Sequence, residues 1–356
     1  MSKAMAYAPP SSKPLCRIAF AAAHVVAHDP NTIDWDLTMA YRRHLWSYGL
    51  GVAEAMDTAQ RGMGLEWPAA RELMIRSMAE ARAAGGEIVC GAATDQLGEP
   101  LRRPLGEIID AYREQCSFIE DAGGGVVVMA SRHLARSAKS RDDYARVYGE
   151  VLEGLRRPAI IHWLGDMFDP ALAGYWGTPD LAEAADVCLA VINANREKVD
   201  GVKLSLLDAG RERDLRGRLP DQVRMYTGDD FNYPELVRGD GNRHSHALLG
   251  ILDAIAPAFS AALVAADAGD WGEYERILAP TVELSRHIFA PPTYNYKAGI
   301  VFLAWLNGHQ PHFKMLGGME GARSVEHYGR LLVLAGKAGL LADPELAANR
   351  MSSLLG

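Results

Sequence analysis

The chain has 356 residues, 49% of them hydrophobic, enough to bury a large core in one big α/β domain or two smaller ones. Its 45 acidic residues outweigh 37 Lys and Arg, for a formal charge of −8, so it lacks the basic footprint of a nucleic-acid-binding protein. No apolar run approaches the roughly 18 residues of a membrane span, and the start, MSKAMAYAPPSSKP, lacks the apolar segment of a secretory signal. These features predict a cytoplasmic protein with a disordered leader over residues 1–16, and no membrane partner. The scattered cysteines Cys16, Cys90, Cys116 and Cys188 form no metal-finger spacing and read as reduced thiols.

From Arg17 onward, short apolar runs alternate with amphipathic stretches, the pattern of a parallel sheet with helical crossovers. RIAFAAA (17–23) is the first predicted strand, followed by a helix over 33–49 that Gly49 closes. Strands are predicted at 51–57, 87–91 and 125–130. The last of these, GVVVMA, is nearly continuously apolar, as expected where helices cover a strand. AIIHWL (159–164) is the fifth strand, DGVKLSLLD (200–208) carries the sixth, VRMYTG (223–228) the seventh and NRHSHALL (242–249) the eighth. Eight strands with helices between them predict an α/β fold, a (β/α)8 TIM barrel over residues 17–252, with a doubly wound open sheet as the rival. Helical patterns at 253–268, 271–289, 297–308, 320–338 and 343–354 predict a C-terminal α-helical extension over 253–356 packed on the barrel.

Barrel enzymes carry their active sites at the carboxy-terminal ends of the strands. That rule selects Asp57 and Thr58, then Ser131, Arg132 and His133, then His162, Lys203, Asp229, His244 and His246. On the sixth strand Val202 and Leu204 face one way, and Gly201, Lys203 and Ser205 the other. An edge-strand lysine in water is the plain reading. The alternative is an amine inside a barrel, where burial favours the neutral form that attacks a carbonyl. An imine mechanism also needs a proton shuttle, and His162, one strand away, is the candidate, against a role as a hydrogen-bonded core histidine. Asp57 and Thr58 orient a substrate hydroxyl in this reading, or else cap a turn. Glu54 is expected to be a buried carboxylate paired with a lysine or a histidine. His244-Ser-His246, with Glu54, Asp57 and His162, has the ligand types of a metal-dependent isomerase or epimerase, a competing reading. A barrel that only binds a ligand is a third. DAGGGVVV precedes a strand and so is no phosphate loop.

DGVKLSLLD, VRMYTGDDFNYPELVRGDG (223–241), AALVAADAGDW (261–271) and the late Lys297 together resemble the dihydrodipicolinate synthase and N-acetylneuraminate lyase superfamily, in particular a divergent branch of unknown function. The resemblance covers roughly residues 17–340. It implies a class I aldolase with a Schiff-base lysine at Lys203, no cofactor and no metal, assembled as a homo-oligomer, either dimer or tetramer. The family's Gly-Thr-Thr-Gly-Glu loop falls on Asp57-Thr58-Ala59-Gln60-Arg61, its strand-five tyrosine on His162, and its tyrosines after strand four on Ser131-Arg132-His133. An aspartate where a carboxylate should bind repels it. A small-molecule substrate other than pyruvate is therefore expected: a sugar-like carbonyl compound held by Asp57, Gln60 and the histidines, or a sugar-derived 2-oxo acid held by Arg61 or Arg132.

Overall fold

The computed structural model describes residues 7–355, and its eight parallel strands close into a barrel. The barrel strands are β1 (Ala19–Ala22), β4 (Gly51–Glu54), β5 (Ile88–Ala92), β6 (Gly125–Met129), β7 (Ala159–Leu164), β8 (Val199–Ser205), β9 (Arg224–Thr227) and β10 (His246–Leu249). Between β1 and β4 lies a small antiparallel pair that the sequence pattern did not signal, β2 (Ala27–Asp29) and β3 (Thr32–Ile33). Barrel order follows chain order, β4 through β10 and back to β1, as consecutive βα units require. The helices alternating with the strands are α1 (Trp35–Ser47), α2 (Trp67–Ala84), α3 (Leu105–Asp121), α4 (Arg132–Ser137), α5 (Arg141–Glu153), α6 (Leu181–Ala194), α7 (Ala209–Arg218) and α8 (Tyr233–Arg238). Then come α9 (Ile251–Asp267), α10 (Trp271–Ile288), α11 (Tyr296–Leu306), α12 (Val325–Lys337) and α13 (Pro344–Leu355). No helix among the described residues is long and apolar enough to cross a membrane.

Local chemistry sets these boundaries. Asp34, Asp180, Asp208 and Asp270 cap α1, α6, α7 and α10 by accepting backbone N–H bonds in the first turn. Ser140 and Asp143 form a reciprocal capping box at α5. Gly49 ends the α1 turn at φ 75°, a backbone conformation that costs glycine nothing.

The chain divides into two compact units, one made of residues up to 65, 79–87 and from 248 onward, the other of 66–78 and 88–247. The expected boundary near residue 252 falls inside the first. Within that unit Gly51 makes room for the Phe20 ring, since a Cβ at Gly51 would lie 2.4 Å from it. The second unit uses the same device: a Cβ at Gly201 would meet the Tyr226 ring at 2.6 Å. Pairing an aromatic side chain with a glycine on the neighbouring strand fills the space without overpacking.

Residues 1–6 of the expected leader lie outside the described residues. Residues 7–16 depart from the disorder expected of them, because polar contacts tie them down. The backbone N–H groups of Leu15 and Cys16 donate to the Asp267 carboxylate at 2.8 and 2.6 Å, and Tyr48 Oη donates to Tyr7 O.

Candidate active site

In β8 the alternation has a physical direction. Leu204, with Trp163 of β7, lines a cavity walled by Leu181 and Ala185 of α6 and Leu215 of α7, so this face meets the surrounding helices. The opposite face, with Gly201, Lys203 and Ser205, therefore points to the barrel interior. Lys203 is only 7% exposed, and the register sets it beside His162 of β7 and Tyr226 of β9. Gly228, just after β9, donates its N–H to Leu204 O at 2.9 Å. A Cβ there would stand 2.1 Å from Ser205 Oγ and 2.9 Å from Lys203 Cε, so the lysine stem crosses a position that only glycine leaves open.

His162 is wholly buried, with Nε2 3.2 Å from Ser205 Oγ. Its Nδ1 has no hydrogen-bond partner among the described residues. Burial, and then the charge of Lys203, hold the imidazole well below its usual 6.5, so it is neutral at pH 7. A primary amine, a neutral imidazole and a hydroxyl thus stand together, a set that can attack a carbonyl and move the protons this requires.

The other predicted residues of this unit are engaged elsewhere. His133 Nε2 donates to Gly98 O at 2.8 Å, which leaves Nδ1 to accept from the Thr94 hydroxyl at 2.9 Å. Ser131 Oγ lies 2.6 Å from Thr94 Oγ1 and accepts from Leu134 N as the cap of α4. Both side chains are buried in this network and tie the loops after β5 and β6 together. Arg132 Nε donates to Asp169 Oδ2 at 2.6 Å. Asp229 accepts from the N–H groups of Phe231 and Asn232 and from the Asn232 amide, which folds the turn into α8.

His244 and His246 require a correction of position. His246 opens β10 and His244 lies in the coil before it, so both stand at the amino-terminal end of that strand. They line a cavity of ≈ 320 Å³ with Val223, Arg224 and Met225, residues that precede or open β9. Lys203 and Ser205 lie toward the other end of their strand. Among the described residues no group of three or more His, Cys, Asp and Glu side chains is arranged to hold a metal ion.

In the first unit, Asp57 and Thr58 follow β4 and meet the first turn of α11. Asp57 Oδ2 is 3.0 Å from Lys297 Nζ, which also donates to Tyr294 O at 3.0 Å. Lys297 is fully buried, whereas the Asp57 side chain is 15% exposed. Thr58 Oγ1 lies 2.7 Å from Tyr296 Oη. Gln60 is taken out of play: its amide donates to Met63 O and Leu316 O and accepts from Leu316 N, at 1% exposure. Arg61 Nη1 donates to Ala55 O at 3.3 Å. Glu54 has a partner of a type not foreseen, Arg42 of α1, which grips both its oxygens at 2.9 Å with both side chains fully buried.

The sequence matches, over residues 1–356, the family described as a protein of unknown function, DUF993. The chain belongs to this family. No curated protein matches it in sequence. Solved structures share the family member's fold at low identity. Dihydrodipicolinate synthase from Acinetobacter baumannii, complexed with pyruvate, is 13% identical at a TM-score of 0.70, covering 92% of this chain and 100% of its own. A prophage protein of the dihydrodipicolinic acid synthase family from E. coli, also in complex with pyruvate, is 13% identical at a TM-score of 0.70, covering 91% and 99%. Dihydrodipicolinate synthase from Aquifex aeolicus is 13% identical at 0.69, covering 91% and 99%. At this identity the likeness establishes the (β/α)8 fold with its carboxy-terminal helices.

Ser205 and Lys297 are the polar residues that sequence reasoning left without a role. Ser205 carried a signal, because it shares the strand face of Lys203 two residues on. Lys297 carried one as well: it sits in YNYKAGIVFLAWL, which continues into a helix whose residues Tyr296–Leu306 are all buried. A lysine in a helix apolar all round predicts a buried partner.

Proposed function

We propose that this DUF993 protein is a class I aldolase-type carbon–carbon lyase that forms an imine on Lys203 with a sugar-like carbonyl compound or a sugar-derived 2-oxo acid. The observation that carries the reading is the buried amine of Lys203 on an interior strand face, packed over Gly228 and beside His162 and Ser205. The fold shared with two proteins solved with pyruvate supports it, as does the resemblance of DGVKLSLLD to a Schiff-base strand.

In the proposed reaction the neutral amine of Lys203 attacks the carbonyl carbon, and the carbonyl π electrons move to oxygen, which takes a proton while the nitrogen gives one up, leaving a carbinolamine. Loss of that hydroxyl as water, with a second proton, leaves the iminium. Removal of the proton from the hydroxyl β to the former carbonyl then drives cleavage: the O–H electrons form a new carbonyl, and those of the broken C–C bond flow to the iminium nitrogen, leaving an enamine. Protonation of the enamine carbon and addition of water release the second product and restore Lys203. His162 and Ser205 relay the protons, since a neutral imidazole and a hydroxyl can each both give and accept one. The same two groups suit a polyhydroxylated substrate. Asp57 and Thr58 orient substrate in this reading; with Lys297 against Asp57 that pair carries no net charge, which removes the objection to a carboxylate-bearing substrate. The protein would act in the cytoplasm, in carbohydrate metabolism, as a homo-oligomer.

Borohydride reduction in the presence of candidate carbonyl compounds tests this. Peptide mass mapping is expected to find a reduced adduct on the peptide containing Lys203, absent from Lys203→Met. Adducts that persist on Lys203→Met, or no adduct with a substrate the protein demonstrably turns over, would overturn the imine mechanism.

A further inference from the structure

Away from Lys203, the first unit contains a cavity of ≈ 140 Å³ that the proposed reaction does not use. Its walls bring the rings of Tyr41, His44, Tyr48 and His309 together with the carboxylate of Asp253 and the aliphatic side chain of Leu303. Asp253 is the one formally charged side chain lining it among the described residues, with no Lys or Arg. His44 and His309 touch ring to ring at 4.4 Å, and Tyr41 packs against both at 5.4 and 4.9 Å.

Asp253 is 1% exposed and is positioned by His24, whose backbone N–H and Nδ1 each lie 2.8 Å from Oδ2. His24 Nε2 is buried with no hydrogen-bond partner among the described residues. The cations near the cavity are turned to other groups: Arg42 to Glu54, and Arg350 to the carbonyls of Trp305 and Gln310. Burial lowers both lining imidazoles, His309 to about 3, so neither is charged at pH 7. The Asp253 carboxylate, paired with His24, thus stands among π faces. Electron-rich ring faces and a buried carboxylate attract an organic cation and repel an anion.

We propose that this cavity is a binding site for a compact organic ammonium ion, its charge held by Asp253 and its alkyl groups laid against the tyrosine and imidazole rings. The volume is close to the roughly 150 Å³ that accepts benzene in an apolar core, which sets the ligand at about six non-hydrogen atoms. Tetramethylammonium and butylammonium are the matching probes, and tert-butanol and acetate the neutral and anionic counterparts.

Calorimetric titration of the full chain at pH 7.5 and constant ionic strength is the test. Both ammonium ions are expected to bind saturably, at least tenfold more tightly than tert-butanol, and acetate not at all. Asp253→Asn should abolish the preference for the cation. Should that variant fail to fold, Tyr48→Leu, which removes one π face, is expected to weaken tetramethylammonium at least tenfold. The proposal is overturned if tert-butanol binds as tightly as the ammonium ions, if acetate binds, if no ammonium ion binds saturably, or if a folded Asp253→Asn or Tyr48→Leu protein binds as the parent does.

Discussion

Gly228→Ala is the sharpest perturbation of the Lys203 site, because a single methyl group enters a space already filled. The added carbon would lie 2.1 Å from Ser205 Oγ, 2.8 Å from Leu204 O and 2.9 Å from Lys203 Cε. The hydroxyl escapes by rotating, but doing so gives up its contact with His162 Nε2 at 3.2 Å, a loss of about 1 kcal/mol. Leu204 O is backbone and accepts the N–H of Gly228 itself, so β8 or the loop after β9 must move, and such overpacking costs about 1–3 kcal/mol. The sum is about 3 kcal/mol. With an unfolding entropy of about 2.1 cal/mol/K for each of 356 residues, that lowers Tm by about 4 °C. Calorimetry gives the stability and borohydride trapping the reach of Lys203, which should form its adduct at least tenfold more slowly. Ser205→Ala in the same chain removes the shortest contact and should recover part of the loss. A Gly228→Ala protein with unchanged Tm and trapping rate would refute the packing described around Lys203.

Lys297→Met leaves the Asp57 carboxylate without its buried ammonium and is expected to cost about 3 kcal/mol in urea unfolding, the low end for a broken buried pair because Asp57 is partly exposed. Adding Asp57→Asn should recover most of it; an additive double variant would show that the two side chains do not interact. Glu212, in the first turn of α7 and buried with hydrogen bonds from Ser245 and Thr227, has its carboxyl raised by burial from 4.5 to about 8. The unfolded chain releases this proton near pH 4.5 and the folded chain only near 8. The associated stability is therefore complete below 4.5 and falls by about 1.4 kcal/mol per pH unit up to about 8. Glu212→Gln should lack this decline in denaturant titrations across that range, and parallel curves for the two proteins would exclude it. Gln60→Ala removes three hydrogen bonds to residues 63 and 316 and should cost about 3 kcal/mol by chemical denaturation, with the Lys203 trapping rate unchanged.

The barrel was legible because its signal is repeated and local: GVVVM and AIIHWL read as covered strands by composition alone, and Gly and Pro mark their ends. The eighth strand was read four residues too early, since Arg243, His244 and Ser245 alternate like a strand but serve as its approach. That slip moved two histidines to the wrong end of the strand. For the site, period-two alternation put Lys203 and Ser205 on one face, and neighbouring strands put His162 beside them. What sequence spacing did not carry was commitment to distant partners. Gln60 is spent on Leu316, Asp57 meets Lys297 and Glu54 meets Arg42. Each pairing is decided by tertiary contact, and the separation of 256 residues between Gln60 and Leu316 leaves no local trace.

The pairing of His162 with Lys203 has a consequence for how a proton can leave the amine. The two side chains share a register position on adjacent strands, and the charge of Lys203 contributes to holding His162 neutral. That contribution ends when Lys203 gives up its proton, so His162 becomes more basic just as the amine gains its lone pair. Interacting groups of this kind titrate as a pair, the proton on one disfavouring the proton on the other. Burial, the larger influence on His162, persists throughout and keeps the imidazolium scarce. A proton taken up at His162 would therefore be passed on readily, with Ser205 Oγ the hydroxyl within reach of its Nε2. A tyrosine in the place of His162 would also become more basic as that charge is lost, but its basic form is a phenolate that burial disfavours, whereas the basic form of His162 is the neutral imidazole that burial favours. The histidine thus links the charge of the nucleophile to the strength of its base, a coupling that arises from two adjacent strand residues in a buried setting.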